Sequence, residues 1–187
     1  SAYWSFDGND SGTIAGYTKY VPGVRGEALL FDGFTTHVKS PANAAVNLTT
    51  GFTVEAWIAP QEYSWNWTGL IDWERAHREG FSFGINHVGQ MGLSLFIEGK
   101  WQTLLSTESV PLLNWSHVVA TYNPARGMAL YINGRAAESN AVTGVVTPSS
   151  ADLWLGMSHT KQWPALTERA VSKTPTPMVF DGLMDEV

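Results

Sequence analysis

The chain contains 187 residues, of which 44% are hydrophobic, so it is long enough for one domain with a buried core, and intrinsic disorder is excluded. Its 11 basic and 17 acidic residues give a formal charge of −6 without a Lys/Arg-rich face, which argues against nucleic acid and anionic membranes as partners. Cysteine is absent, which excludes disulfides, iron–sulfur clusters, thiolate zinc sites and cysteine nucleophiles, and no apolar run approaches the roughly 20 residues that span a bilayer.

Short apolar segments separated by turn residues predict an all-β chain, because eighteen glycines and nine prolines are spread between them. The clearest segment has an apolar residue at every second position from Phe52 to Ile58, which is the period of a strand. No segment of twelve or more residues shows the period of a helix. In chain order, the predicted strands are Tyr3–Asp7, Ala28–Asp32, His37–Ser40, Phe52–Ala59, Gly69–Glu74, Phe81–His87, Gly92–Ile97, Gln102–Ser106, Ser116–Tyr122, Met128–Ile132, Leu153–Gly156 and Gly182–Val187.

Antiparallel strands in one domain must each bury a face against another sheet, so the predicted fold is a two-sheet antiparallel jelly-roll sandwich. Two long loops are expected, at Gly8–Val24 and at the proline-containing Ser158–Val179. The predicted core residues are Phe6, Leu30, Val54, Ala56, Ile58, Val119, Leu130, Ile132 and Leu155. Four tryptophans inside apolar strand patterns are also assigned to the core: Trp4, Trp57, Trp115 and Trp154.

Five segments carry a family resemblance in this order along the chain: "GVRGEALLFDG", "FTVEAWI", "WSHVVATYNPARGMALYINGR", "LWLG" and "FDGLMDEV". Together they resemble the laminin-G-like, concanavalin A-like jelly-roll domains of bacterial carbohydrate-active proteins. The resemblance implies a single domain over residues 1–187 in a secreted, cell-surface or periplasmic protein. Such domains are mostly non-catalytic binding modules attached to glycoside hydrolases. Family members usually continue past the terminal "DEV", so a larger parent protein with a completed last strand is also implied.

Enzymes occur on the same sandwich, so catalysis has to be judged from the residues. Glucanases of this architecture place carboxylates at alternate positions of one strand, and Asp72 and Glu74 begin such a pattern. The pattern breaks at Ala76, and Glu79 falls beyond a turn. The five histidines show no zinc spacing, and no nucleophile motif is recognisable. We therefore expect a non-catalytic carbohydrate-binding module. The alternatives are a structural or protein-interaction domain that packs on a catalytic partner and, as the lesser one, a glycan-degrading enzyme.

The stretch "DWERAHREG", residues 72–80, concentrates charge in a chain with only 15% charged residues. It is either a solvated hairpin tip or a sugar site. A carboxylate pair beside a guanidinium can bind vicinal hydroxyls, and an aromatic ring can cover the apolar face of a sugar. We predict a glycan site centred on Glu74 and Arg75, with Asp72, Trp73 and Trp101 as secondary members. The second choice is a site among the loop tryptophans Trp65, Trp67 and Trp163.

A structural calcium ion is implied by the resemblance, because related jelly rolls often hold one where the first and last strands meet. The matching segments here are "FDGND" and "FDGLMDEV", and the predicted Ca²⁺ ligands are Asp7 and Asp185. The alternative is that Asp7-Gly8 forms only a turn and that Asp185 caps a backbone group.

Overall fold

The computed structural model describes residues 2–8, 10, 12–41, 48–162 and 176–187, and it contains strands, turns and loops but no helix in those parts. A helix able to span a bilayer is accordingly not found among the described residues. The strands are β1 (Thr13–Ala15), β2 (Tyr20–Pro22), β3 (Glu27–Asp32), β4 (His37–Ser40), β5 (Phe52–Pro60), β6 (Thr68–Glu74), β7 (Gly80–Ile85), β8 (Gln90–Ile97), β9 (Lys100–Ser109), β10 (Ser116–Asn123), β11 (Gly127–Ile132), β12 (Arg135–Ser139), β13 (Leu153–Leu155), β14 (Met157–Gln162), β15 (Thr176–Val179) and β16 (Asp181–Asp185).

Two seven-stranded antiparallel sheets form the sandwich that the sequence predicts. Sheet I has the strand order β1-β4-β13-β6-β7-β8-β9, and sheet II has the order β12-β11-β10-β5-β16-β3-β2. Strands β14 and β15 pair separately. Neighbouring strands in a sheet are often far apart in sequence, which is characteristic of a jelly roll rather than of simple hairpins in series.

Eleven of the twelve predicted strands coincide with observed strands to within a few residues at each end. The prediction for Tyr3–Asp7 is wrong: Trp4 exchanges two backbone hydrogen bonds of 2.9 Å with Val187, but Phe6 has a φ of 59°, which ends the extended conformation. The strands that the pattern did not predict are β1, β2, β12, β14 and β15, which are mostly short or polar. Residues 163–175 of the second expected loop lie outside the described residues.

The core lies between the two sheets and contains the predicted Phe6, Ala56, Ile58, Leu130 and Leu155. Burial alternates along β5, because successive side chains of a strand point to opposite faces. Val54 and Ile132 are buried there as well.

Two core assignments are wrong by one position. Leu30 and Val119 are only half-buried, and their neighbours Leu29, Phe31 and Val118 occupy the core. Leu30 pairs with the half-buried Leu183 on the outer face of sheet II. Of the four tryptophans assigned to the core, only Trp4 is fully buried; Trp57, Trp115 and Trp154 are half-buried.

Leu130→Ala should lower the free energy of unfolding by about 2–5 kcal/mol, because a fully buried leucine side chain is replaced by a cavity. Val119→Ala, in the neighbouring strand but on the outer face, is the matched control and should cost about 1 kcal/mol or less. Urea denaturation measures both. Equal losses for the two variants would show that the inward face of β10 and β11 is misassigned.

Asp7 and Asp185, the predicted calcium ligands, accept hydrogen bonds from the first residue of β3 and from the turn that precedes it. The Asp7 carboxylate accepts from the N–H of Glu27 at 2.8 Å, and Asp185 accepts from the N–H of Arg25 at 3.0 Å. Burial raises the pKa of Asp185, and its backbone N–H bonds offset this only in part, so a cation nearby would stabilise the ionised form. These contacts fit backbone capping. Within the described segments, no group of three or more His, Asp or Glu side chains could hold a metal ion.

Calcium therefore stays a prediction that can be tested directly. An ion held by Asp7 and Asp185 would make the melting temperature fall on addition of EDTA, since it binds only the folded chain, and elemental analysis would find about one calcium per chain. An unchanged melt with no bound metal would leave capping of the turn as the whole role of the two carboxylates.

Candidate functional site

A row of cross-strand neighbours runs across all seven strands of sheet I. At its centre Asp72 lies opposite Ser82, and Ser82 lies opposite Ser94. The complete row, from one edge to the other, is Thr13, Lys39, Trp154, Asp72, Ser82, Ser94 and Thr103. Because side chains of residues directly opposite in a sheet share a face, this register collects polar groups from distant parts of the sequence on the outer face of sheet I.

Glycines beside this row make room for the indole ring of Trp67. Gly84 lies opposite Gly92 on β7 and β8. A Cβ atom at Gly84 would lie 3.0 Å from the ring, and one at Gly92 would lie 2.9 Å from it, so the ring rests directly on the backbone. The Trp67 Nε1–H donates to Ser82 Oγ at 2.8 Å, which fixes the ring against the sheet.

A cavity of about 210 Å³ opens on this face, and we call it the carboxylate cavity. Its lining residues are Trp67, Asp72, Glu74, His77, Ser82, Ser94, Trp101 and Ser158. Asp72 is 1% exposed and Glu74 is 5% exposed, so both carboxylates lie at the floor of the cavity. Charged groups so deeply buried are costly unless they are hydrogen-bonded or paired.

Hydrogen bonds from two other strands, β7 and β14, hold the carboxylate of Asp72. Ser82 Oγ–H donates to Oδ2 at 2.7 Å, and His159 Nδ1 lies 2.8 Å from Oδ1. The imidazole of His159 in turn stacks on Trp154, with ring centroids 4.0 Å apart. The Ser158 hydroxyl accepts from the N–H of Gly69 at 2.8 Å, which ties β14 to β6. Each oxygen of the Asp72 carboxylate thus has its own hydrogen-bond partner, and this fixes the orientation of the carboxylate at the cavity.

Glu74 lies at the end of β6, where a tight turn brings His77 back over the cavity. Arg78 N–H donates to the carbonyl of Arg75 at 2.9 Å, and the two central residues, Ala76 and His77, have φ values of 49° and 57°. This is a type I′ turn built without glycine or asparagine, which costs backbone strain. Trp101 stabilises the turn by donating from Nε1 to the His77 carbonyl at 2.9 Å. The His77 imidazole then lies 3.5 Å from the Glu74 carboxylate.

The structure brings three of the five predicted site residues together: Asp72, Glu74 and Trp101 line the carboxylate cavity. Arg75 is exposed, does not line the cavity, and donates to Ser150 Oγ. Trp73 is wrong as a stacking platform, because its ring is 3% exposed in the core and its Nε1 donates to the Ala151 carbonyl at 2.7 Å. The reason is the strand period, which turns residue 73 inward when its neighbours face out.

Sequence reasoning missed most of the polar lining. The sequence makes Trp67 only a second choice, places His77 in the turn, and gives no local signal for Ser82, Ser94 or Ser158. The signal for Ser82 and Ser94 is their register opposite Asp72, which requires the strand pairing to be known. Of the other second choices, Trp65 is 39% exposed and does not line the cavity, and Trp163 lies outside the described residues.

A larger cavity of about 480 Å³ opens at the end of the sandwich that contains Tyr3 and Val187. Its aromatic groups are engaged with each other: Trp57 stacks on His117, and His117 Nε2 lies 3.1 Å from Glu55. The Tyr3 hydroxyl donates to Glu186 at 2.6 Å, and this bond raises the pKa of Tyr3 to about 12. The carboxylate cavity is the better candidate, because two indole rings and two buried carboxylates converge there.

Comparison with solved structures finds the same sandwich in several binding domains. Domain 4 of AbnA, a GH43 extracellular arabinanase from Geobacillus stearothermophilus in complex with arabinotriose, has a TM-score of 0.71 at 20% identity, over 99% of this chain and 88% of that chain. The binding domain of Paraclostridial Mosquitocidal Protein 1 has a TM-score of 0.69 at 15% identity, over 96% of this chain and 44% of that chain. The binding domain of Botulinum neurotoxin DC in complex with SialylT has a TM-score of 0.62 at 16% identity, over 93% of this chain and 41% of that chain.

The chain therefore spans most of the arabinanase domain but less than half the length of the two toxin domains. At these identities the likeness is one of fold. No curated protein sequence matches the chain.

Sequence comparison assigns the family. A family profile for the concanavalin A-like lectin/glucanases superfamily matches residues 31–187, which include every strand from β4 to β16. The matched range contains all the lining residues of the carboxylate cavity. The two seven-stranded antiparallel sheets are the architecture that the sequence resemblance implied. The chain therefore belongs to the concanavalin A-like lectin/glucanase superfamily.

Proposed function

We propose that this chain is a non-catalytic carbohydrate-binding module and that the carboxylate cavity holds its glycan. The observation that carries the proposal is the convergence of the Trp67 and Trp101 indoles with the Asp72 and Glu74 carboxylates on one face of sheet I. A sugar presents flat C–H faces edged by hydroxyl groups. Indole rings match the C–H faces, and carboxylates accept hydrogen bonds from the hydroxyls.

Internal hydrogen bonds fix the two indole rings of the carboxylate cavity. The Trp67 N–H donates to Ser82 and the Trp101 N–H donates to the His77 carbonyl, so both rings have a fixed orientation. Rigid binding groups lose little conformational entropy when the ligand binds. Ser82 donates to Asp72 and accepts from Trp67, so it can only accept a further hydrogen bond from a sugar hydroxyl. Ser94 and Ser158 add two more hydroxyl groups to the lining.

The structural neighbours support a binding role, and the arabinanase domain gives the more specific analogy. That domain was solved in complex with arabinotriose, and the present chain covers 88% of its length. By this analogy we propose that the module is attached to a glycoside hydrolase. The whole protein would be secreted, or located at the cell surface or in the periplasm. The catalytic partner would then be a domain of the same polypeptide.

Two observations favour binding over catalysis. Asp72 is tied by Ser82 and His159, and the third acid of a glucanase-like pattern is not at hand, because Glu79 accepts from Ser150 N–H at 3.0 Å outside the cavity. A structural or protein-interaction role is the alternative function. Glycan cleavage is the lesser alternative, and the observation in its favour is that two carboxylates, Asp72 and Glu74, line the same cavity. Product release from a bound glycan would favour that last alternative.

Glu74→Ala should weaken binding of the best glycan from an array by at least about tenfold, or 1.4 kcal/mol, because a carboxylate of the cavity floor is lost. Arg75→Ala is the matched control from the same hairpin, outside the cavity, and should stay within about twofold of the wild type. Isothermal calorimetry measures both affinities, and thermal melts verify that both variants fold. Strong loss with Arg75→Ala and none with Glu74→Ala would move the site to the hairpin tip, and failure of the wild type to bind any glycan would sink the proposal.

Gly92→Ala should displace the Trp67 ring and weaken glycan binding by about fivefold or more, the loss expected for a stacking contact. The added Cβ would lie 2.9 Å from the Trp67 ring and 2.6 Å from Leu105 Cδ2, both of them side-chain atoms that can move. The fold should therefore survive with a small loss of stability. Tryptophan fluorescence detects displacement of the Trp67 ring, and calorimetry measures the glycan affinity. An unchanged affinity together with a displaced ring would exclude Trp67 from the site.

A further inference from the structure

The carboxylate cavity occupies only part of the row of cross-strand neighbours on sheet I. Three consecutive members of the row line it, namely Asp72, Ser82 and Ser94, on the adjacent strands β6, β7 and β8. Because neighbouring strands are about 4.8 Å apart, these three residues span about 10 Å. The volume of about 210 Å³ corresponds to roughly seven water molecules, which is room for one sugar ring and not for several. The cavity therefore fits a single residue of a glycan.

The side of the cavity toward β14 and β13 is closed. Ser158 on β14 lines it, is 1% exposed, and accepts from the N–H of Gly69 at 2.8 Å. His159, next to it, lies 2.8 Å from the Asp72 carboxylate and stacks on Trp154 with ring centroids 4.0 Å apart. Two rings thus occupy the row directly beyond Asp72. A glycan that crossed the whole row would have to displace them.

The two indoles close the cavity along the strand direction. On β8, Gly92, Ser94 and Phe96 share one face at alternate positions. The Trp67 ring lies over Gly92, whereas Trp101 is the cross-strand neighbour of Phe96. Trp67 and Trp101 therefore bound the cavity on opposite sides of Ser94. Together with β14 they make three walls.

The fourth side, toward β9, is open. Asp72 and Ser82 are buried, whereas Ser94 is half-buried. Thr103 on β9, the next member of the row, is exposed, and its hydroxyl lies 2.9 Å from that of Ser94. Strand β9 is at the edge of sheet I, so a chain that leaves the cavity in this direction passes over Thr103 into solvent.

We infer that the carboxylate cavity binds the terminal residue of a glycan chain and that the following residues leave over Ser94 and Thr103 at the β9 edge. The inference rests on the proposed glycan-binding function and names the ligand class, glycans that are recognised by their ends. Recognition of internal residues requires a groove that is open at both ends, and here one end is filled by Ser158, His159 and Trp154.

The first test is a glycan array with pairs that share an internal chain and differ in the terminal residue. We expect the bound glycans to share a terminal residue and to lose binding when that residue is capped by another sugar. Calorimetry with gluco-, xylo- and arabino-oligosaccharides then compares trisaccharide and hexasaccharide. In a series that binds, the two affinities should agree within about twofold, because both molecules present one such end. A larger gain with length, or binding that survives capping, would overturn the inference.

The second test locates the exit of the chain. The sequence has no cysteine, so Thr103→Cys and Thr13→Cys each create one attachment point for a bulky maleimide, on exposed residues at the two ends of the same row. The label at position 103 should weaken binding of the best array glycan by about fivefold or more. The matched label at position 13 should leave the affinity within about twofold of the wild type. Thermal melts verify that both labelled variants fold. Loss at position 13, or no loss at position 103, would overturn the proposed direction.

The outcomes separate this inference from the proposed function. If the array finds glycans that share only an internal sequence, end recognition is wrong and the glycan-binding function stands. If the array finds no bound glycan of any kind, the function and the inference fall together.

Discussion

The burial of the Asp72 carboxylate in the middle of sheet I is the constraint on which the candidate site depends. Every residue of β6 is buried, which means that the strand is covered on both faces. One face packs on the core through Trp73, and the other carries Asp72 and Glu74 under a cover made by Trp67 and β14. A carboxylate in that position has to be hydrogen-bonded. Ser82 on the neighbouring strand β7 and His159 on β14, which is distant in sequence, supply the bonds.

Several features that look unrelated follow from that arrangement. The Trp67 ring lies over Gly84 and Gly92, where an added Cβ would approach it to 3.0 and 2.9 Å, and at Gly84 the Thr68 carbonyl oxygen would be closer still, at 2.1 Å. The ring donates to Ser82, which donates to Asp72. A chain of hydrogen bonds of this kind strengthens each of its members and holds a single geometry. The strained turn at Ala76 and His77 is also held by a hydrogen bond from an indole, that of Trp101. The turn places the His77 imidazole beside Glu74.

The strand pattern was a good guide to the fold and a poor one to the faces of some strands. Apolar residues at every second position identify a strand such as β5, but two adjacent apolar residues, as in Leu29-Leu30 and Val118-Val119, leave the inward one undecided. In both pairs the residue predicted to face the core, Leu30 or Val119, is the one that faces outward. The short strands β1 and β2 were missed because the ladder hydrogen bonds that define them join segments far apart in sequence, and no local period shows them.

By itself the sequence determined the fold class, most of the strands, and the acidic pair of β6, because these depend on local alternation, turn residues and composition. It also contained the two-residue spacing that puts Asp72 and Glu74 on one face, together with the break in that spacing that argues against catalysis. Only the tertiary structure decided that Trp73 turns into the core, that Arg75 lies outside the cavity, and that Trp67, Ser82 and Ser94 complete it. The physical reason is that a face of a sheet is assembled across strands, so its members are chosen by register between distant segments and by what covers them.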